Sequence, residues 1–112
     1  MTFQNCVILT GRMATPPHRA YRPDGSAVIQ FRLELNDHER SSVGASQSWI
    51  DIVVFGKLAE SEPDFFQDGQ CLRVEGQLKQ RRWQTPEGRK RSRVEVIATD
   101  LRKVNDSNRN SE

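Results

Sequence analysis

The chain has 112 residues, a formal charge of +2 and 35% hydrophobic residues. That is enough for one closed core and too little for two, which excludes a multi-domain enzyme. No run approaches the roughly 18 to 20 apolar residues of a membrane span, and the N-terminus lacks the basic-then-apolar order of a signal peptide, so a soluble intracellular protein without a membrane partner is expected.

Most apolar runs are short, β-branched and bounded by turn residues, which predicts five strands rather than helices. The first covers about Asn5 to Met13, where the Pro16-Pro17 pair interrupts it or turns it toward an edge. Arg22-Pro23-Asp24-Gly25 then reads as a turn, with proline presetting φ and glycine supplying the left-handed position. The second strand, about Ala27 to Leu35, alternates Ile29, Phe31, Leu33 and Leu35 against Val28, Gln30, Arg32 and Glu34, which defines its inner face. Asn36 to Ser48 is polar and reads as a mobile loop or the tip of a long hairpin.

Trp49 to Phe55 is the third strand. Because side chains alternate, Trp49, Asp51, Val53 and Phe55 share one side, while Ile50, Ile52 and Val54 share the other and fill the core parity. Two large rings on the non-core face are what a single-stranded nucleic acid needs, since every base has a face to stack. Gly56 to Gln67 is the one convincing helical segment, shortened or broken by Pro63. The fourth strand, Cys71 to Trp83, alternates Leu72, Val74, Gly76 and Leu78 against Arg73, Glu75, Gln77, Lys79, Arg81 and Trp83, which places Trp83 beside bases if no bulge shifts the register. Thr85-Pro86-Glu87-Gly88 turns the chain into a fifth strand, Arg89 to Val104, with Val94 and Val96 inward. Residues 1–104 thus form the domain, and 105–112 a polar, disordered tail. Cys6 and Cys71 each lie in an apolar strand pattern, so two buried thiols are expected and no disulfide framework.

The net charge hides an uneven distribution. Residues 34 to 68 hold eight acids and two bases, whereas Lys79 to Arg93 holds seven bases and one acid, Glu87, which suits a phosphate-facing hairpin. Three strands, a helix and two strands is the order of the five-stranded OB barrel, with Gly11, Gly56 and Gly76 relieving bends and crowding. The predicted fold is therefore all-β, one OB barrel with a short helix between its third and fourth strands and extended hairpins.

The blocks NCVILTGRM, YRPDGSAVIQF, WIDIVVFGKLAE, CLRVEGQLKQRRW and RVEVIATDLRKV, in that order and spacing, resemble the bacterial single-stranded DNA-binding protein (SSB) family from about Asn5 to Val104. The resemblance implies binding of single-stranded DNA without strong sequence preference, in replication, recombination or repair, by a homotetramer or a dimeric arrangement. It also implies base contacts at Trp49, Phe55 and Trp83, each of which matches the family pattern. A further stacking tryptophan of the family would fall near Asp37 to Arg40, where this chain has no aromatic. The acidic, hydrophobic-tipped tail by which family members recruit replication and repair proteins is absent before Ser111-Glu112. A truncated chain or a short paralogue would both read this way, and recruitment by that route is not expected. A bacterial cytoplasm, with association to the nucleoid, or an organelle of bacterial descent follows from the same resemblance.

Stacking must be supplemented by phosphate contacts. Arg73, Lys79, Arg81, Arg89, Lys90 and Arg91 are the candidates on the basic hairpin, with Arg12, Arg22 and Arg32 as a second group near the first hairpin. Asp51 on the aromatic face is expected to pair with an arginine rather than to perform chemistry. His18 and His38 stand alone in polar loops, and no HxxH, CxxC, nucleophile elbow, phosphate loop or dinucleotide fingerprint appears, so no enzyme activity, metal or cofactor is expected. Two other functions fit the same barrel: an adaptor resembling primosomal replication protein N that bridges proteins, and an RNA-binding OB protein.

Overall fold

The computed structural model describes residues 2–35, 48–61 and 69–104. Six strands and a helix follow one another: β1 (Val7–Met13), β2 (His18–Tyr21), β3 (Ala27–Glu34), β4 (Trp49–Phe55), α1 (Gly56–Ser61), β5 (Cys71–Gln84) and β6 (Lys90–Lys103). They form one sheet in the order β1-β5-β6-β4-β3-β2, and the extra pairing of β1 with β3 closes it into a barrel. All neighbours are antiparallel except β4 and β6.

The five expected strands become six because the proline pair splits the first. β1 closes the barrel through Arg12 opposite Glu34 and Met13 opposite Leu33. Beyond Pro16-Pro17 the chain resumes as β2 on the same edge of β3, opposite Ala27 to Gln30. His18, expected in a loop, is therefore an exposed strand residue. His38, the 36–47 loop, residues 62–68 with Pro63, and the polar 105–112 end all lie outside the described residues.

The core follows the predicted parity. Ile29, Phe31 and Leu33 of β3, Ile52 and Val54 of β4, Leu72 and Val74 of β5 and Val96 of β6 are buried together with Met13 and Ala59. Helix α1 packs on β3, β4 and β6. Two glycines permit close strand approach: a Cβ on Gly11 would strike the Glu34 carbonyl oxygen, and one on Gly76 the Ile97 carbonyl oxygen.

Three expectations need correction. Val94 and Leu78 keep their inward parity but are 48% and 45% exposed. β4 pairs with β6 only from Glu95 to Ile97, so among the described residues the outer part of the β5–β6 hairpin is a two-stranded ribbon with no second layer against it. Cys6 is exposed, because it precedes β1 and escapes the barrel, whereas Cys71 is buried as expected. A register shift also occurs, but its extra residue is on β6: Glu75 pairs with Asp100 and Gly76 with Ala98, leaving Thr99 unpaired. The Thr99 hydroxyl donates to the Glu75 carbonyl at 3.1 Å. β5 thus keeps its alternation through to Trp83.

Candidate nucleic-acid interface

The outward face of β4 carries Trp49, Asp51, Val53 and Phe55, as alternation requires; Val53 is itself covered, at 4% exposure, and Ile52 and Val54 on the other face are buried in the core. Antiparallel β3 sets Arg32 opposite Asp51, and parallel β6 sets Glu95 beside Asp51. β5 completes the surface with Lys79 opposite Glu95, Arg81 opposite Arg93 and Trp83 opposite Arg91. Four strands from distant parts of the sequence thus assemble one aromatic and ionic surface.

Each aromatic of this surface has a guanidinium against its ring. The Arg32 carbon Cζ lies 5.4 Å from the Trp49 ring and that of Arg22 lies 4.0 Å from the Phe55 ring. Arg81 and Arg93 stand 5.7 and 5.8 Å from the Trp83 ring. Trp49 and Trp83 remain 47% and 42% exposed, so their rings are accessible to a ligand. Phe55 is half-buried at the strand end.

Two clefts follow the same surface, and a third runs along the hairpin mainly on its other face. One of about 440 Å³ is lined by Arg12, Thr15, Arg32 and Trp49; one of about 310 Å³ by Arg22, Val53, Phe55, Lys79 and Arg81. The third, of about 500 Å³, lies along the outer hairpin and is lined mainly by Gln80, Arg82, Gln84, Lys90 and Ser92, whose parity is opposite to that of Trp83 and Arg91 at its rim. Arg12, Arg22, Arg32, Lys79, Arg81 and Arg91 therefore join the aromatics, whereas Lys90, opposite Gln84, lies on the other face of the ribbon. Arg89 follows the hairpin turn, where its backbone N–H donates to the Thr85 hydroxyl at 3.1 Å. Arg73 stands apart: its strand partners are Thr10 and Arg102, and its guanidinium pairs with Glu75 at 3.6 Å.

Both turns use the expected chemistry. In the first, Gly25 has φ of 90°, and the Asp24 carboxylate accepts hydrogen bonds from the Ser26 N–H at 2.9 Å and hydroxyl at 2.7 Å. These two bonds hold the Asp24 carboxyl below its ordinary titration range, the backbone N–H contributing most. In the second, the Gly88 N–H donates to the Thr85 carbonyl at 2.8 Å, and Gly88 has φ of 87°.

Asp51 does pair with arginine, and with two of them: Arg32 at 3.5 Å and Arg93 at 3.7 Å. Glu95 binds Arg81 and Arg93, both at 3.3 Å. Arg93 and Glu95 are site residues that the sequence pattern does not single out. The shared parity of Arg93 and Glu95 was visible, but their partners depend on the register of β6 against β4 and β5. Among the described residues no group of three or more His, Cys, Asp or Glu side chains is placed to hold a metal ion, and no helix is long and apolar enough to cross a membrane.

Barrel and surface together define an OB-fold module with an aromatic, cationic outer face. The chain belongs to the Single-strand binding protein family, which it matches over residues 4–104. It is 35% identical to the Single-stranded DNA-binding protein of Thermotoga maritima over 105 residues, covering 91% of this chain and 74% of that protein. Identity to the Aquifex aeolicus protein of the same name is also 35%, over 104 residues, covering 90% of this chain and 70% of that one. A solved chain, Plasmodium falciparum SSB complex with ssDNA, superposes with a TM-score of 0.80 at 23% identity, covering 94% of this chain and 98% of the other. That likeness establishes the OB fold.

Proposed function

We propose that this protein binds single-stranded DNA without strong sequence preference, stacking bases on Trp49, Phe55 and Trp83 and holding phosphates with the arginines and lysines around them. The observation that carries this reading is the surface of accessible or half-buried rings, each flanked by guanidinium groups. Flat rings accept any base, and cations placed between them meet the backbone that links successive bases.

Three stacking rings supply about 3 to 9 kcal/mol before the strand is ordered, so affinity for one subunit is modest. Phosphate contacts add a salt-dependent contribution. Joining several such surfaces in one assembly adds avidity, because a strand bound to one subunit meets the next at high effective concentration. Exposed Ile8, Leu78 and Val94 support a homo-oligomer, a tetramer or a dimer, that would cover them. The role that fits is protection of transiently exposed strands in replication, recombination or repair, on the nucleoid of a bacterial cytoplasm.

The test is a tryptophan-fluorescence titration with long oligo-dT at low and high salt, beside a duplex and an RNA oligomer of matched sequence. Strong quenching by oligo-dT that weakens with salt, with poor duplex binding, is expected. Absence of quenching and of binding by the folded protein would refute the reading. Equal or tighter RNA binding would move the assignment to RNA.

A further inference from the structure

The path between Trp49 and Trp83 is a closed ionic ladder rather than an open basic patch. Starting from Trp49, contacts run through Arg32, Asp51, Arg93, Glu95 and Arg81 to Trp83, with separations of 5.4, 3.5, 3.7, 3.3, 3.3 and 5.7 Å in turn. The three arginine side chains are 41 to 49% exposed, whereas the Glu95 side chain is only 3% exposed and that of Asp51 26%. Arg81 and Arg93 face each other directly across β5 and β6. Like charges so placed repel, and would swing away from the Trp83 ring that both approach. The buried Glu95 carboxylate lies against both and removes that repulsion.

We infer that Glu95 and Asp51 are positioning residues for nucleic-acid binding, built-in counter-anions that hold Arg32, Arg81 and Arg93 between the two tryptophans. The inference rests on the single-stranded DNA reading. In the free protein each carboxylate occupies guanidinium donors that a phosphate would use. When a phosphate arrives, the arginine brings its acid with it, so the local charge meeting the strand is smaller than the number of bases. Lys79 and Arg91, which share the face of Trp83 and make no ion pair among the described residues, meet phosphates at full charge. The surface is thereby less dependent on counterion release than its base count implies, and its arginines are arranged before the strand arrives.

The experiment compares the unsubstituted protein with Glu95→Gln, Asp51→Asn and Glu95→Asp. It measures oligo-dT affinity by anisotropy across a salt series, with a thermal melt for each variant. Removing one acid adds one net positive charge to the path. Glu95→Gln and Asp51→Asn should each steepen the slope of log affinity against log salt by about 0.7 per engaged subunit. Glu95→Asp, which keeps the charge, should leave the slope as it was even if the melt shifts. Unchanged slopes in folded Glu95→Gln and Asp51→Asn would overturn the inference while leaving DNA binding intact. Should Glu95→Gln not fold, the partly exposed Asp51→Asn decides alone. Failure of the unsubstituted protein to bind oligo-dT would overturn both readings.

Discussion

Replacing Trp83 by alanine separates stacking from packing, because this ring does little for the fold. It lies on the two-stranded outer hairpin, is 42% exposed, and is flanked by Arg81 and Arg93 near 6 Å. Each exposed cation–π contact contributes about 0.5 to 1 kcal/mol, so the stability loss should stay near 1 to 2 kcal/mol. Loss of one stacked base removes about 1 to 3 kcal/mol of binding, which is about 5- to 150-fold in affinity per subunit. Trp49→Ala should behave alike. Each ring contributes its own stacked base, so the double variant should lose about 2 to 6 kcal/mol, and a departure from the sum of the single losses measures the coupling through the ionic ladder that joins the rings. Anisotropy of a labelled oligo-dT at fixed salt reads the affinity without relying on the deleted fluorophores, and thermal melts report the fold. Trp83→Phe, which keeps a ring, should recover much of the loss. A folded double variant with the parent's affinity would show that the bases do not stack here.

Other substitutions probe the barrel. Gly76→Ala drives a methyl into the Ile97 carbonyl across the β5–β6 ladder; because backbone cannot swing aside, a loss of about 3 kcal/mol is expected in chemical denaturation, and a neutral result would contradict the close approach. Leu33→Ala, at 0% exposure, should cost about 2 to 5 kcal/mol, while Leu78→Ala, 45% exposed on the outer ribbon, should cost well under half of that by the same assay in the isolated subunit. For Asp24, the hydrogen bonds from Ser26 favour the charged form, so their support of the turn is complete above the unfolded value of 3.8 and is lost as pH falls through the lower folded value. The Ser26 amide resonance should therefore titrate with a midpoint below 3.8, and a midpoint at or above it would argue against the turn geometry.

Local chemistry made much of the molecule legible. The β4 limits follow from an uninterrupted alternating run, and the buried Ile29, Leu33, Ile52 and Val54 from its period of two. Pro-Asp-Gly and Pro-Glu-Gly located both turns because each glycine takes a positive φ. Val94 points inward as expected and is still exposed, and Cys6 is exposed where burial is expected, for one reason. Alternation says which way a side chain points, whereas burial also needs a layer to point at, and among the described residues neither has one.

Sequence alone established the strand parities, the turns, the exposed aromatics and the concentration of bases on one hairpin, all of which depend on neighbours a few residues away. Tertiary structure decided where β6 crosses from β5 to β4, and with it which charges meet. Arg32, Asp51, Arg81, Arg93 and Glu95 come from four strands, and only the registers of β3 with β4, β4 with β6 and β5 with β6 bring them into one ladder. A shift of one residue in any of those registers would turn a strand's side chains to the opposite face, which is why pairwise ionic contacts cannot be read from a linear pattern.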